Sequence, residues 1–398
     1  MTDRYDVIVI GVGGMGSAAT CRLAERGLDV LGLERYDVPH DRGSSHGRTR
    51  IIRKPQYEAP EYVPLIEAAY DRWRDLEERT GRRLLHVTGG IDAGPPGSRI
   101  VAGSQASCEA HGLDHERLSA AEVNDRFPGY DLPEGHRAVY QPDGGFLDPE
   151  RCVVAHVDAA HEAGATIRAR EQVHGYTTTD DGVRVESSKD TYEADRLVVT
   201  AGAWTPKLVP ELRPIAVPER QVLAWFQPTS PSSFDPDRFP VFVHDAEEGH
   251  YYGFPKYDVP GFKLGKFHHR EEVVDPDAFG REPRPADEDL IRAYADKYFP
   301  TGTGPTMQLT TCLFTNTPDG HFVIDRLPDE PRVTVGAGFS GHGFKFASVV
   351  GEILADLAVD GETDHGVDRF RMGRFPDDRA DAVDEANAND ETDSKDES

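Results

Sequence analysis

The stretch Tyr5–Arg35 constrains the fold more than any other part of the chain. A short apolar run leads into Gly11, Gly13 and Gly16, and a helical pattern, a second apolar run and the acid Glu34 follow. This order is typical of a dinucleotide-binding unit, whose glycines allow a tight turn, close approach to a pyrophosphate and close packing of helix on strand. The helix N-terminus offers unpaired N–H groups to phosphates, and Glu34 can accept hydrogen bonds from ribose hydroxyls. The motif alone does not separate FAD from NAD, and a glycine-rich turn without a ligand is the alternative.

The charge of the chain limits its partners. Asp and Glu number 71 against 44 Lys and Arg, which gives a formal net charge of −27, and only nine of the bases are lysine. A surface this acidic argues against nucleic acids and anionic membranes. Dense acid with little lysine indicates adaptation to high salt, where screening weakens self-repulsion; an ordinary acidic cytosolic enzyme is the alternative.

The chain carries no signal for secretion, membrane insertion or metal binding. No run approaches the ~20 apolar residues of a membrane span, and the N-terminus enters a predicted strand almost at once. We therefore expect a soluble, cytoplasmic protein. The four cysteines are far apart and predict neither a metal site nor a disulfide framework; they are Cys21, Cys108, Cys152 and Cys312.

Two later segments are expected beside the glycine turn, at the carboxyl edge of the same sheet. The loop Tyr36–Arg50 is rich in Gly, Ser, His and Arg, so that His46, Arg50 and the nearby Arg53 could face a cofactor; a solvated basic loop is the alternative. The apolar strand Arg196–Ala203 ends in Thr-Ala-Gly, which leaves bare backbone for close approach of a cofactor. A meander of short strands is predicted before it, at Thr166–Ala169, Gln172–Thr178, Gly182–Ser187 and Thr191–Ala194.

The middle of the chain predicts a second, antiparallel sheet. This segment is rich in aromatic residues, which suit a substrate pocket and equally an ordinary core. Further on, a glycine-rich elbow at Gly338 opens a helix whose N-terminus could face an anionic group. The segment after Phe375 has ten acids among 23 residues and is predicted to be disordered. The strands of the second sheet are expected at Val222–Gln227, Val241–His244, Tyr251–Phe254 and Phe262–His268.

From about Tyr5 to Leu357 the chain resembles the monomeric sarcosine oxidases and N-methyltryptophan oxidases, flavin-dependent enzymes of the D-amino-acid-oxidase-like superfamily. Few unrelated families would be expected to show the last two of the motifs that carry this resemblance. The motifs are GVGGMG (Gly11–Gly16), GSSHGRTRIIR (Gly43–Arg53), YYGFP with FKLG (Tyr251–Gly265), CLFTNTPDGHFVID (Cys312–Asp325) and GFSGHGFKF (Gly338–Phe346).

The resemblance implies an α/β fold of two domains in an α+β arrangement. A Rossmann-like FAD-binding domain would comprise residues 1–85, 150–215 and 310–375. A second, antiparallel-sheet domain that binds the substrate would comprise residues 86–149 and 216–309, and residues 376–398 would form the disordered acidic tail.

FAD is the cofactor that the resemblance implies, bonded from the 8α-methyl carbon of the flavin to the sulfur of Cys312. A lone cysteine is ordinarily a small buried hydrophobe, but the motif around Cys312 favours the attachment. The implied cofactor-binding residues are Gly11, Gly13, Gly14, Met15, Gly16, Glu34, Arg35, Ser44, Thr49, Val173, Ala201, Gly202, Trp204, Cys312, Gly341, His342, Gly343 and Lys345.

The resemblance also implies roles in the reaction. His46 and Arg50 would lie against the flavin ring, where positive charge favours the electron-rich reduced ring. Lys263 would lie near flavin N5 and help oxygen to accept electrons. Arg53 and Lys345 would clamp the substrate carboxylate, Arg53 with a planar fork and Lys345 as a point charge.

The sequence departs from the family pattern at two positions. The active-site histidine of the family follows its lysine by four residues; here that position is Phe267, so the next residue, His268, is the candidate, ahead of His269. Phe314 stands where sarcosine oxidases often have Tyr, which predicts a different substrate preference. Tyr252 matches the tyrosine of the family's Tyr–Lys pair and completes the predicted catalytic set.

The expected reaction is the oxidation of a small N-methyl amino acid such as sarcosine. A hydride equivalent passes to FAD, the imine is hydrolysed, and O2 is reduced to hydrogen peroxide. The alternatives are another FAD-dependent oxidase or dehydrogenase, acting on glycine, a D-amino acid or pipecolate, and an idle flavin-binding subunit of a larger complex. The expected partners are the amino acid and O2 only, with no metal, and a monomer is favoured.

Overall fold

The apolar runs of the sequence form the strands of three β-sheets. The structure, a computed structural model, describes residues 4–375; the predicted disordered tail lies outside the described residues. The helices within this range are α1 Gly14–Glu25, α2 Val63–Thr80, α3 Arg99–His111, α4 Ala120–Arg126, α5 Pro149–Glu162, α6 Thr205–Leu208, α7 Pro285–Tyr298 and α8 Ala347–Val359. The strands are β1 Arg4–Ile10, β2 Val30–Leu33, β3 Arg50–Ile52, β4 Leu85–Val87, β5 Gly90–Gly94, β6 Glu116–Ser119, β7 Arg137–Gln141, β8 Gly145–Leu147, β9 Thr166–Arg168, β10 Val173–Thr179, β11 Gly182–Ser187, β12 Thr191–Val199, β13 Val217–Phe226, β14 Val241–Ala246, β15 Gly249–Phe254, β16 Phe262–Lys266, β17 Thr306–Asn316, β18 Val323–Arg326 and β19 Val333–Ala337.

The first sheet contains the predicted nucleotide-binding unit. Strands β9, β2, β1, β12 and β19 run parallel, β18 is antiparallel to β19, and the β10–β11 hairpin extends the sheet beside β12. Helices α1, α2, α5 and α8 share one apolar core on one face of this sheet. Gly11 has a φ of +89°, and a Cβ at Gly16 would lie 1.7 Å from the carbonyl oxygen of Gly11. The turn and the packing of α1 therefore require glycine at both positions.

Strand β12 corrects two expectations. It is one strand, although separate strands were expected at Thr191–Ala194 and Arg196–Ala203. Residues 191–194 pair with β11 and residues 197–199 pair with β19, while β1 lies along the other side. The charged residues that interrupt the apolar pattern, among them Asp195, mark this change of partner. The other correction is β9, which does not join the meander because it pairs with β2 in the parallel part of the sheet.

The second sheet has eight strands in the order β17-β13-β16-β15-β14-β5-β7-β6 and is antiparallel except for the β5–β14 pair. Its strand alternation divides the aromatic residues. Tyr251 and Phe226 belong to a core with α7, whereas Tyr252 and Trp225 belong to a cluster on the opposite face. The aromatic segment thus supplies both a core and a wall of the site described below.

The predicted division into two domains stays a proposal. Strand β17 bears on it directly, since the expected boundary at residue 310 falls inside this strand and its whole length pairs with β13 in the second sheet. The small third sheet, β3-β8-β4, lies apart from both larger sheets in its hydrogen bonding. Among the described residues, no helix has the length and apolar character that crossing a bilayer would require.

Candidate active site

A large cavity opens at the carboxyl ends of β1, β2 and β12; we call it the cofactor cavity. Its walls are the glycine turn with the start of α1, the segment after β2, the loop 40–50, residues 171–174, residues 200–204 and the segment between β19 and α8. The following predicted cofactor-binding residues line it: Gly11, Gly13, Gly14, Met15, Glu34, Arg35, Ser44, Val173, Ala201, Gly202, Trp204, Gly341 and Gly343.

The glycine turn leaves room for a ligand at the start of α1. A Cβ added at Gly13 would meet only the Ser45 hydroxyl, at 3.6 Å, so that the backbone here is bare towards the cavity. The N–H of Gly14 donates to the Ser45 hydroxyl at 3.0 Å and joins the loop to the helix N-terminus. Bare backbone at a helix N-terminus suits a pyrophosphate. Ser45 was not among the predicted residues, although it lies inside one of the recognised motifs.

Glu34 is buried and fixed by hydrogen bonds. It accepts from the N–H groups of Val12 and Tyr36, at 2.9 and 3.0 Å, and His40 lies 3.4 Å away. Burial raises the pKa of Glu34, but the bonds from His40 and the backbone outweigh it, and the pKa is lowered overall. The carboxylate is ionised with lone pairs left over for ribose hydroxyls, so the residues fit the adenosine part of a dinucleotide.

Arg35 and Trp204 form the wall beside Glu34. The guanidinium of Arg35 contacts the Asp277 carboxylate at 2.6 Å and lies over the rings of Tyr36 and Trp204. The indole N–H of Trp204 donates to the same Asp277 oxygen at 2.8 Å. Burial raises the pKa of Asp277, but Lys207, Trp204 and Arg35 together lower it to about 2. Asp277 was not predicted, because it lies far along the chain in a loop without a recognisable motif.

A small cavity of about 60 Å³ lies between the cofactor cavity and the second sheet; we call it the substrate cavity. Arg50, Phe314, Gly341 and Phe344 line both cavities. The other residues of the substrate cavity are Ile51, Arg53, Tyr57, Glu58, Val243, Tyr252, Phe254, Phe267, Cys312, His342 and Lys345. The structure thus brings Arg53, Lys345, Tyr252 and Cys312 together, and it places His342 and Lys345 in this cavity and not in the cofactor cavity.

Arg53 is buried and surrounded by acids. One arm of its fork, Nη2, lies 3.4 Å from both oxygens of Glu58, and the other, Nη1, lies 3.6 Å from Asp92 and donates to the Pro55 carbonyl. Burial alone would lower the pKa of Arg53, but Asp92 and Glu58 raise it overall. Burial raises the pKa of Glu58, whereas Arg53 and Lys345 together hold it at about 2. Both side chains are therefore charged.

Lys345 lines the same cavity as Arg53 and comes from the 3-10 turn that precedes α8. Trp73 donates to its backbone carbonyl at 2.9 Å, and its Nζ donates to the His342 carbonyl at 2.9 Å. Burial lowers the pKa of Lys345 to about 7, with Arg53 acting in the same direction and Glu58 opposing it. Burial likewise lowers the pKa of His342 to about 4. The lysine is thus poised to titrate near neutral pH.

Lys263 lies behind the loop 43–50 and lines neither cavity. Its Nζ donates to the Gly47 carbonyl at 2.7 Å and to the carbonyl and hydroxyl of Thr49, at 2.9 and 2.8 Å. Burial, reinforced by Arg50, lowers the pKa of Lys263 well below its ordinary value. Thr49 therefore contacts the lysine and does not form a cavity wall. Gly16 also lies outside the walls, where it packs the helix on the turn.

Arg50 lies where the two cavities meet. It donates to the carbonyls of Ser44 and Thr49, and its Nη2 lies 3.6 Å from the Cys312 sulfur. His46 is buried and lines neither cavity, and its Nε2 has no hydrogen-bond partner within residues 4–375. Burial lowers the pKa of His46 to about 3, and Arg50 and Lys263 add to this effect, so its imidazole is neutral.

Cys312 is buried on β17 and lines the substrate cavity, while the next residue, Leu313, lines the cofactor cavity. Its sulfur lies 3.9 and 4.0 Å from the carbonyls of Gly43 and Ser44. The thiol thus lies at the junction of the two cavities, beside the loop that carries Arg50. This position fits a thiol that bonds to the ring end of a cofactor.

The structure does not bring His268 to the site, which corrects its assignment. The side chain is about half exposed and contacts Glu219 at 2.9 Å. Strand β16 ends at Lys266, so Phe267 and His268 lie in the turn that follows it, where His268 has a positive φ of +51°. Phe267 lies in the substrate cavity, with its ring 4.9 Å from that of Tyr252. The position at which the resemblance implies a histidine is therefore apolar here.

Three residues near Arg53 were missed by sequence reasoning: Tyr57, Glu58 and Asp92. Glu58 and Tyr57 follow the recognised motif by a few residues but carry no pattern of their own. Asp92 is one residue of the short strand β5 and likewise carries no pattern of its own. Their importance comes from contacts with Arg53 that no local spacing shows.

A parallel sheet with a large cavity at its carboxyl edge, joined to a small ion-lined cavity, defines an α/β protein built to bind a dinucleotide cofactor beside a small charged ligand. The model of the FAD dependent oxidoreductase family matches residues 6–357. The chain is 42% identical over 380 residues to the monomeric sarcosine oxidase of Streptomyces avermitilis, covering 94% of this chain and 99% of the relative. It is 35% identical over 376 residues to the N-methyl-L-tryptophan oxidase of Yersinia pestis, covering 93% and 99%.

Among solved structures, NikD, an unusual amino acid oxidase essential for nikkomycin biosynthesis, has a TM-score of 0.81 at 28% identity, covering 93% of this chain and 98% of that chain. The chain belongs to the FAD-dependent oxidoreductase family, in the group of the sarcosine and N-methyltryptophan oxidases that its motifs predicted. It is a flavoenzyme with FAD as its cofactor, and the predictions of family, fold class and enzyme class are confirmed.

Proposed function

We propose that the protein is an oxidase of small N-methyl amino acids, with sarcosine as the type substrate. The observation that carries this proposal is the pair of buried cations, Arg53 and Lys345, in a cavity of about 60 Å³ that shares walls with the cofactor cavity. Two cations in a small aromatic cavity suit a ligand with one carboxylate and a short apolar substituent. The names of the relatives, sarcosine oxidase and N-methyl-L-tryptophan oxidase, support the same substrate class.

The binding step follows from the contacts of Arg53. Its Nη2 arm is held by Glu58, a residue of the cavity, so a substrate carboxylate takes this arm in place of Glu58 while Lys345 supplies the second charge. The aromatic rings of Tyr252, Phe254 and Phe267 then enclose the substituent on nitrogen and exclude water. Holding the carboxylate fixes the C–H bond next to nitrogen against the cofactor cavity, which is the orientation that catalysis needs.

The chemistry that bound FAD would supply is acceptance of a hydride equivalent from the neutral amine and transfer of two electrons to O2, which would yield hydrogen peroxide. The imine product is hydrolysed by water, and sarcosine would give glycine and formaldehyde. Lys263 is proposed to assist the reaction with oxygen, with the loop carbonyls of Gly47 and Thr49 fixing its Nζ. Arg50 supplies positive charge at the junction of the two cavities.

The function is tested with purified protein and three amines: sarcosine, N-methyltryptophan and pipecolate. We expect sarcosine to bleach the flavin without oxygen and to release peroxide with oxygen, and Arg53→Met to slow both by at least about 100-fold at the same subsaturating substrate concentration. Failure of all three amines to bleach the flavin would contradict the proposal. Bleaching without oxygen consumption would instead indicate a dehydrogenase.

We also propose that the flavin is bonded covalently to Cys312, which is supported by the position of this thiol at the junction of the cavities. On a denaturing gel run after acid treatment, the wild-type band should fluoresce and a Cys312→Ala band should not. Cys152→Ala is a matched control, since this thiol is buried against α1 and α2 away from both cavities. Flavin that leaves the wild-type protein on denaturation would contradict the attachment.

Adaptation to high salt is proposed from the net charge of −27 and the scarcity of lysine. Screening by salt reduces repulsion among surface carboxylates, so the melting temperature should rise steadily with KCl up to molar concentrations. A melting temperature that does not change between dilute and molar KCl would favour an ordinary acidic enzyme.

A further inference from the structure

The two Nη groups of the Arg53 guanidinium contact different partners, one in the wall of the substrate cavity and one behind it. Nη2 contacts Glu58, which lines the substrate cavity, whereas Nη1 contacts Asp92 and the Pro55 carbonyl, which do not line it. One arm is therefore available to exchange partners with a ligand, and the other is held from behind. Asp92 is the charged group on that rear side.

Asp92 is a buried acid on β5 and is only 4% exposed. Its two carboxylate oxygens differ in their hydrogen bonding. Its Oδ2 accepts from the Ser104 hydroxyl at 2.5 Å and lies 3.6 Å from Arg53 Nη1. Its Oδ1 has no hydrogen-bond partner within residues 4–375. A buried carboxylate oxygen without a partner is costly when the group is charged, and a proton placed on it would break no existing hydrogen bond.

The charged and titratable side chains around Asp92 come from the segment 53–58, from the turn before α8 and from α3. The charged or titratable ones are Arg53, Tyr57, Glu58, Lys345 and, from α3, Cys108. The neighbouring strands β7 and β14 place Val139 and Val243 opposite Asp92 and contribute no charge.

Before a ligand binds, the charges of two cations, Arg53 and Lys345, equal those of two carboxylates, Glu58 and Asp92. A substrate carboxylate adds a third negative charge to a water-excluded site with only two cations, which is unfavourable unless one acid becomes neutral. Arg53 and Lys345 hold the pKa of Glu58 at about 2, despite burial. Burial raises the pKa of Asp92 in spite of Arg53 and Ser104, so Asp92 is the acid that gains a proton more readily.

We propose that Asp92 is a positioning residue that holds Arg53 from behind as an anion, and that it takes up a proton when a carboxylate ligand binds to Arg53 and Lys345. This inference rests on the carboxylate clamp of the proposed function. Asp92 thereby weakens the clamp at high pH and makes ligand affinity depend on pH, although it does not touch the ligand.

The experiment measures binding of acetate to the flavoprotein by calorimetry in buffers of different ionisation enthalpy, from pH 5 to 9. In the wild type, proton uptake should have two parts, one from Lys345 near pH 7 and one from Asp92. In Asp92→Asn only the lysine part should remain, and acetate should bind about tenfold more tightly in the pH range where the wild type takes up the additional proton, since a charge opposed to the ligand is gone. Acetamide, which has no charge, should show no such difference.

Three further variants separate the possible failures. Ser104→Ala keeps Asp92 but removes the donor to its Oδ2, so it should shift the additional uptake to higher pH; it carries the test if Asp92→Asn does not fold. Asp325→Asn removes a buried acid that pairs with Arg371 away from both cavities, and it should bind acetate like the wild type. Superimposable uptake curves for the wild type and Asp92→Asn would overturn the role of Asp92, whereas unchanged acetate binding in Arg53→Met would overturn the clamp itself.

Discussion

The cofactor cavity and the substrate cavity meet at Arg50 and Phe314, but they are built by different means. The cofactor cavity is formed largely by backbone, glycines and short loops at the ends of parallel strands, and the buried Glu34 is one of the charged residues that line it. The substrate cavity collects side chains from distant segments, and its walls include the ions Arg53, Glu58 and Lys345. The cofactor cavity recognises its ligand by shape and by exposed backbone groups, whereas the substrate cavity recognises its ligand through buried charged side chains. Substitutions should therefore act through sterics in the first and through electrostatics in the second.

The largest effects are expected in the cofactor cavity, where two glycines can be compared. Gly16→Ala places a Cβ 1.7 Å from the Gly11 carbonyl, so we expect the turn to be disrupted and little folded protein to be recovered. Gly13→Ala meets nothing closer than 3.6 Å, so the fold should persist while the added methyl group obstructs the pyrophosphate. Circular dichroism and the ratio of flavin to protein absorbance measure the two outcomes. Full flavin content in Gly13→Ala would show that the backbone is not the recognition surface.

In the substrate cavity, Arg53→Met should lower kcat/KM for sarcosine by at least about 100-fold, because the loss of a buried carboxylate partner costs roughly 3 kcal/mol. Arg48→Met is the matched control, since this arginine is half exposed and pairs with Asp258 at the surface; its kcat/KM should stay within about twofold. Steady-state kinetics measures both. Equal losses in the two variants would mean that the effect comes from the loop and not from the clamp.

The titration of Lys345 gives the next largest effect. With a pKa of about 7, this lysine is charged below neutral pH and neutral above it, so the affinity for acetate should fall about tenfold between pH 6 and pH 8 from this group alone. Lys345→Met should bind acetate weakly and lose the step at this pH. Flavin absorbance follows the binding. A step of the same size in Lys345→Met would assign the titration to another group.

We expect the smallest effect from a substitution of Glu150, because this residue contacts neither ligand and acts only on the loop between the two cavities. It accepts from the N–H groups of Gly47 and Arg48, at 2.8 and 3.2 Å, and so orients the carbonyls that hold Lys263. Glu150→Gln should lower the free energy of unfolding by about 1 kcal/mol and slow reoxidation of the reduced flavin several-fold, with sarcosine binding unchanged. Glu61→Gln, at an exposed ion pair with Arg369, should change neither quantity. A change in sarcosine affinity in Glu150→Gln would show that the two cavities are coupled through this loop.

The same contrast explains what the sequence could reveal. The residues of the glycine turn are adjacent in the chain, so their spacing alone predicts the cavity that they form. Asp92 and Glu58 matter because β5 and the segment before α2 meet at Arg53, which no local pattern shows. His268 was the candidate because it is the histidine next to Phe267, the position four residues after Lys263, but beyond the end of β16 at Lys266 it is Phe267 that reaches the substrate cavity. The two partners of β12 likewise depend on where β11 and β19 lie in space.

Strand β17 has a consequence for how the molecule unfolds. It pairs along its whole length with β13 in the second sheet, yet Leu313 lines the cofactor cavity beside the first sheet. A flavin bonded at Cys312 and held at Glu34 would be a cross-link between the two sheets, fixed at one end by a covalent bond and at the other by hydrogen bonds. Neither sheet could then unfold without displacing the flavin cofactor, which would still be bound to the other sheet. The cofactor would be a structural member of the protein as much as its reagent, and the two halves would lose their order in one cooperative event.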